Sequence, residues 1–241
     1  QLIGSLLYIA NKSRPDISYV VGRLSGYTHN PSEQHWNALE RVFKYLRGTL
    51  DYSLCYKGFP NIVEGYNDAN WITDSQDIKS TTGYVFLLGG AAISWGSKNQ
   101  TIISRSTMEA ELIALDTTCT EAEWIKNLLI DIPLINKPIP PISIRCDNRA
   151  VIELARQAHT NRKMNRHMQV RNKSVKNKLK REIISLDFVK SECNIADHLT
   201  KGLSRSAVLD LSRGMGLSLK EVKPNLCDWE PYEGGSMGRN N

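Results

Sequence analysis

"TTGYVFLLGGAAISWGSKNQTIISRSTMEAELIALD", residues 81–116, changes its period midway. The first half is short apolar runs separated by turn residues, which predicts strands at 82–90 and 91–97, with "QTIIS" (100–104) extending the second. From Ser106 the apolar residues recur at helical spacing instead. Ser106 or Thr107 can cap that helix and Glu109 falls in its first turn, so a helix over 106–130 is predicted, closed by "DIPLINKPIPP". At about 100° per residue, Met108, Leu112, Leu115, Cys119, Ala122 and Leu129 share one side of it. Glu109 lies well off that side. Glu111 lies on its margin, at the angle of Leu129. A carboxylate facing a core costs several kcal/mol unless it is paired or bound to a metal.

Outward from this stretch, "IVEGYND" (62–68) reads as a preceding strand and "ISIRCD" (142–147) as a fourth, followed by a helix at 148–157. A basic helix at 164–181 presents Met164, Met168, Val175 and Leu179 on one face. "IISLDFV" (183–189) is a fifth strand, and 195–204 opens another helix. The order β-β-β-α-β-α-α-β-α makes a mixed α/β sheet, three antiparallel strands and then two more, flanked by helices. Neither a GxGxxG nor a GxxxxGK[ST] loop is present, which excludes the common nucleotide-binding motifs.

Residues 1–58 read as a helical layer. Two helices break near Arg14-Pro15, and a third lies in "NPSEQHWNALERVFKYLRG" (30–48). Asn30 can cap it, Pro31 suits the first position, and Glu33 follows three residues on. Trp36, Leu39, Phe43 and Leu46 form its stripe, and Gly48 stops it. The turn at 58–61 is the expected boundary of a domain over 62–205. Residues 206–241 are a C-terminal extension, expected to be disordered from about 223.

The 241 residues contain no apolar run near the roughly 20 needed to cross a bilayer, so no membrane partner is expected. The chain opens on Gln1 with no charged leader, and reads as a piece of a longer or processed product without a secretory signal. Five widely spread cysteines (Cys55, Cys119, Cys146, Cys193, Cys227) and no CxxC pair suggest free thiols and an intracellular, reducing location. The net charge of +6 is concentrated: from Arg162 to Arg181 every charged side chain is Lys or Arg, which favours a polyanionic partner.

Four acids stand out by position. Asp68 ends the first strand, Glu111 lies beside a helix stripe, Asp147 ends the fourth strand, and Asp197 opens the last helix. Each has a plainer role available: a turn for Asp68, an Arg partner for Glu111, a helix cap for Asp147, a helix N-terminus for Asp197. Together they can converge at one sheet edge, where they would repel and raise one another's pKa. Mg²⁺ relieves that repulsion with room left for phosphate oxygens. Two such ions roughly 4 Å apart serve phosphodiester cleavage, so acids plus a basic helix point to a metal-dependent nuclease.

At these residues the sequence resembles the ribonuclease H domain of copia-type retrotransposon Pol polyproteins. "YNDANWITDSQDIKSTTGYVFLLGGAAISWGSKNQTIISRSTMEAELIALD", "ISIRCDNRAVIELA" and "FVKSECNIADHLTKGLSR" carry the resemblance, in the family's order. "GSLLYIANKSRPDISYVVGRLSGYTHNPSEQHWNALERVFKYLRGTLDYSLCY" resembles the end of reverse transcriptase that precedes that domain. The resemblance implies a ribonuclease H-like fold and an Asp-Glu-Asp-Asp set at Asp68, Glu111, Asp147 and Asp197. It implies two Mg²⁺ ions, with Mn²⁺ able to substitute, and hydrolysis of the RNA strand of RNA·DNA hybrids. Glu111 would also contact the 2′-hydroxyl side of the RNA. The implied partners are the hybrid and the reverse transcriptase portion of the same polyprotein, in the cytoplasm, within element particles, or in the nucleus.

Expected phosphate or groove contacts are Arg105, Ser106, Asn148, Arg162, Lys163, His167 and Arg171, the last two by a His/Arg spacing in "RKMNRHMQVRNKSVKNK". Trp71 and Trp95 are expected in the core rather than stacked on sugars, and His29 and His35 on the surface. Many cellular relatives place a His in a loop before the last Asp; here none precedes Asp197, and His198 follows it. No Asp-Asp dipeptide occurs, so no polymerase centre is expected. The alternative to the enzyme is a catalytically silent element-derived chain that binds nucleic acid or is only structural. A DNA-cutting relative of the same core is a second rival.

Overall fold

The computed structural model describes residues 1–58, 61–71, 79–133, 135–157 and 164–219. Arg162, Lys163, part of the expected linker and the tail from Lys223 lie outside the described residues.

The chain opens with α1 (Leu2–Lys12), a 3₁₀ turn (Pro15–Ile17), α2 (Ser18–Ser25) and α3 (Glu33–Arg47). Pro15 has no N–H to continue α1 and forces Arg14 out of helical geometry, which sets the break. The α3 cap differs from expectation. Ser32, not Asn30, is the N-cap, and the third residue of its capping box is His35, whose Nδ1 accepts from Ser32 N at 3.0 Å. Of the expected stripe, Trp36 and Phe43 are exposed; Leu39 and Val42 are the buried pair. Leu6, Ala10, Ile17, Val21, Leu24, Leu39 and Val42 close a small core of their own.

The main sheet has strands β2 (Glu64–Asn70), β3 (Thr81–Leu88), β4 (Ala91–Asn99), β5 (Ile142–Cys146) and β6 (Ile184–Phe188), in the order β4-β3-β2-β5-β6. β2, β3 and β4 pair antiparallel, while β5 and β6 join in parallel. The five-stranded mixed sheet is therefore as expected. Gly89 and Gly90, with φ of 62° and 81°, form the two-residue turn between β3 and β4. "QTIIS" does not extend β4, because the strand ends at Asn99; Gln100 turns back, its N donating to Ser80 O and its side chain to Thr82 and Ala110.

α4 (Thr107–Asp131), α5 (Arg149–Arg156) and α6 (Arg166–Lys180) supply Leu112, Leu115, Ile125, Ile152, Met168 and Val175 to the core that includes Phe86, Ile144 and Leu186. Tyr66, Val85 and Ala92 pack instead with Ile195, Ala196, Leu199 and Met215. This second cluster includes a 3₁₀ turn (Ile195–Leu199), where a helix over 195–204 was expected; α7 (Arg205–Gly214) follows. Two short strands went unanticipated: β1 (Tyr52–Leu54) and β7 (Leu217–Leu219) pair antiparallel. The N-terminal layer packs on the sheet: β7 reaches back to β1, and the Trp95 indole of β4 donates to Ala10 O of α1 at 2.8 Å. Among the described residues no helix is long and apolar enough to cross a membrane, and Cys55, Cys119, Cys146 and Cys193 form no disulfide.

Candidate active site

Asp68 is buried in β2 opposite Gly83 of β3. A Cβ on Gly83 would sit 2.6 Å from Thr200 Cγ2 and 3.0 Å from Ala196 O. The bare glycine therefore lets the segment 195–200 lie directly against the sheet. Asn194 stitches that segment down: its Nδ2 donates to Asn67 O at 3.0 Å while its Oδ1 accepts from Ala196 N. Asn70 Nδ2 donates to Thr200 O at 3.3 Å. As a result the Thr200 hydroxyl reaches Asp68 and donates to its Oδ2. Asp197 sits in the same turn. Lys201 Nζ lies 2.7 Å from its Oδ2, and its Oδ1 is buried without a partner among the described residues.

Glu111 comes from the other side. Ser106 Oγ caps α4 by accepting from Glu109 N, and the small side chains Ala69, Ala110 and Ala114 let the helix approach β2 closely. Glu111 is 4 % exposed, accepts a backbone hydrogen bond from Ala69, and leaves Oε2 unpartnered among the described residues. Glu109 faces outward, accepting from Arg105 N at 2.8 Å and from Asn165 Nδ2 at 3.2 Å. The two glutamates of "MEAEL" thus have the separate environments that their helical angles predict. Asp147, half-buried just beyond β5, accepts from Ser191 Oγ at 2.8 Å.

Carboxylate oxygens of Asp68, Asp147 and Asp197 lie within 4.8 Å of one another, and Glu111, Asp147 and the Cys146 sulfur form a second such group. Crowding shows in the protonation equilibria. Burial, then Asp197 and Asp147, push Asp68 up to about 7 against the opposing Thr200 hydrogen bond. Burial, then Asp68 and Asp147, push Glu111 up to about 9. Burial likewise raises the Cys146 thiol, which stays protonated and is a poor ligand. A hard oxygen set with two carboxylate oxygens unpartnered among the described residues fits a hard divalent cation.

The expected nucleic-acid contacts are distributed. Arg105 and His167 are exposed, at the start of α4 and on α6. Ser106 and Asn148 are N-caps, Asn148 Oδ1 accepting from Val151 N. Arg171 is engaged, its guanidinium 2.8 Å from Asp116 across the α4–α6 contact. Trp71 is 39 % exposed and hydrogen-bonded to Ser104 O, so it is not the core residue expected; Trp95 is half-buried between layers. Sequence reasoning missed Ser191, Asn194, Thr200 and Lys201; the available signal was that Thr200 and Lys201 lie one helical turn past Asp197.

No family model matches the chain. It is 39% identical over 217 residues to the retrovirus-related Pol polyprotein from transposon RE2 of Arabidopsis thaliana, a match covering 90% of this chain and 15% of that protein. It is 36% identical over 204 residues to the corresponding polyprotein of transposon TNT 1-94 of Nicotiana tabacum, covering 85% of this chain and 15% of that protein. Over 125 residues, 51% of the chain, it is 39% identical to 87% of the secreted RxLR effector protein 161 of Plasmopara viticola. Among solved structures, a foamy viral protease-reverse transcriptase in complex with ds DNA superposes with a TM-score of 0.50 at 15% identity, over 78% of this chain and 31% of that one. LC11-RNase H1, isolated from compost, gives 0.44 at 16% identity, over 62% and 97%. The fold is α/β, a five-stranded mixed sheet flanked by helices. The chain spans about 15% of the length of these polyproteins, and its homologues are retrovirus-related Pol polyproteins of copia-type transposons.

Proposed function

We propose that the chain is a ribonuclease H that hydrolyses the RNA strand of RNA·DNA hybrids during reverse transcription of the element. The observation that carries this reading is the convergence of Asp68, Asp147 and Asp197, with Glu111 beside Asp147, on the five-stranded mixed sheet. These four residues would hold two Mg²⁺ ions. When bound, such ions supply a metal-activated water and stabilise the leaving 3′ oxygen.

The chain's own residues position the rest. Glu111 faces the 2′-hydroxyl side of the RNA strand, which distinguishes RNA from DNA. Lys201 and Thr200 orient Asp197 and Asp68 by direct contact with their carboxylates. Arg105, Ser106, Asn148, His167 and, outside the described residues, Arg162 and Lys163 contact phosphates. Arg171 serves by fixing α6 against α4. Contacts of this kind fix register with little sequence preference. The exposed Tyr8, Trp36 and Leu50 of the N-terminal region support docking on the reverse transcriptase portion of the longer polyprotein, in cytoplasmic element particles or the nucleus.

The test is cleavage of a labelled RNA·DNA hybrid in Mg²⁺ or Mn²⁺, with duplex DNA as control. Hybrid cleavage that vanishes in Asp68→Asn supports the enzyme. Binding without cleavage, unchanged by that substitution, supports the silent nucleic-acid-binding alternative instead.

A further inference from the structure

His198 follows Asp197, yet it does not face the carboxylates. Its imidazole is buried, 6 % exposed, and turned toward the N-terminal helices, with Nε2 hydrogen-bonded to the backbone oxygen of Asp16. A carbonyl only accepts, so Nε2 carries the hydrogen; Nδ1 has no partner among the described residues.

The acceptor is unusually well anchored. The Asp16 carboxylate takes Arg14 Nε at 3.0 Å on Oδ1 and the terminal guanidinium nitrogen at 2.7 Å on Oδ2. Tyr45 OH of α3 donates to the same Oδ2 at 2.7 Å. Arg14 also donates to Thr49 O at 3.0 Å and to Thr49 Oγ1 at 2.7 Å. This buried network joins the turn after α1 to the end of α3, so Asp16 O is a fixed point. On its sheet side the turn bearing Asp197 is tied to β2 by Asn194 and Thr200. On its other side His198 ties it to Asp16.

We propose that His198 is a positioning residue through which the N-terminal helices hold Asp197 in the carboxylate cluster. The inference rests on the metal-site reading above. It makes residues 1–58 part of the site's support rather than a neighbouring layer: the anchor they form sets where the fourth carboxylate stands. Residues that orient a metal ligand commonly change metal affinity about 10-fold or more when removed.

The experiment measures Mg²⁺ binding by calorimetry on the full chain, with kcat and KM for hybrid cleavage, for wild type, His198→Ala, His198→Asn and His198→Gln. Gln can place its amide N–H where Nε2 stands; Asn reaches only the Nδ1 position. Expected are Mg²⁺ affinity and kcat lowered about 10-fold in the Ala and Asn variants, KM for the hybrid within about twofold of wild type, and Gln close to wild type. The Asn–Gln comparison decides the matter even where Ala fails to fold. Asn and Gln proteins that bind Mg²⁺ as wild type does overturn the proposal. A wild-type chain that binds no Mg²⁺ overturns the metal-site reading itself, a distinct result.

Discussion

The Thr200 hydroxyl donates to the Asp68 carboxylate across 132 residues of sequence, and a glycine on the neighbouring strand makes the approach possible. Thr200 Oγ1 also lies 3.1 Å from Asp197 O. The one side chain therefore touches both the strand acid and the turn acid of the cluster.

Thr200→Val keeps the shape and removes the hydrogen. Asp68 then loses the contact that favours its ionised form. Hybrid cleavage in Mg²⁺ is expected to fall about 10-fold or more, with stability changed by about 1–2 kcal/mol, the usual scale for a buried donor. Thr200→Ser should retain activity. Equal rates for Val and Ser would remove Thr200 from any role in holding Asp68.

The two glutamates of α4 separate cleanly. Glu111→Gln replaces a buried carboxylate with an unpartnered oxygen by a neutral amide, so thermal stability in metal-free buffer should hold or rise while cleavage falls about 100-fold or more. Glu109→Gln touches only the outer side, where Glu109 accepts from Arg105 N and Asn165 Nδ2. Activity should stay within about twofold, with a stability loss of about 0.5–1 kcal/mol. Melting curves and rates on the same preparations check both.

Gly83→Ala places a methyl group 2.6 Å from Thr200 Cγ2 and 3.0 Å from both Ala196 O and Leu199 Cβ. Thr200 is fully buried and the opposing backbone oxygen cannot rotate away, so the 195–200 turn must lift from the sheet. Overpacking of this kind costs about 1–3 kcal/mol. Mg²⁺-dependent cleavage should drop with it, because Asp197 and Thr200 move together. A variant with wild-type melting temperature and rate would show that the turn accommodates the methyl group.

These relationships mark where sequence reasoning stops. Glu111 was legible because its angle on the helix conflicts with a carboxylate, and the strand pattern of 82–97 followed from short apolar runs around Gly89-Gly90. Asp68 was expected to end its strand but lies within β2, which runs on to Asn70; Asp147 was legible as an acid just past a strand end. Thr200 and Asn194 were not, since each partner lies more than 120 residues away and their chemistry is that of any polar turn. The pairing of β1 with β7 was hidden for the same reason: three-residue strands have no period to read. Trp36 and Phe43 misled because apolar spacing on a helix shows a face without saying whether anything covers it.

The pH dependence of stability has a definite sign. Asp68 titrates near 7 in the folded chain and Glu111 near 9, against about 4 for carboxylates in an unfolded one. Between about pH 4 and those values the folded state holds protons that the unfolded state has lost, so unfolding free energy falls as pH rises. The metal-free protein should therefore be more stable at pH 5 than at pH 8.5, with a melting temperature higher by about 5 °C or more. Divalent cations bind the ionised forms, so saturating Mg²⁺ should raise the melting temperature at pH 8.5 and flatten the slope, while EDTA restores it. Asp68→Asn should flatten the metal-free slope and remove most of the Mg²⁺ response at once. A metal-free melting temperature that rises from pH 5 to pH 8.5 would mean that the four acids are not crowded in solution.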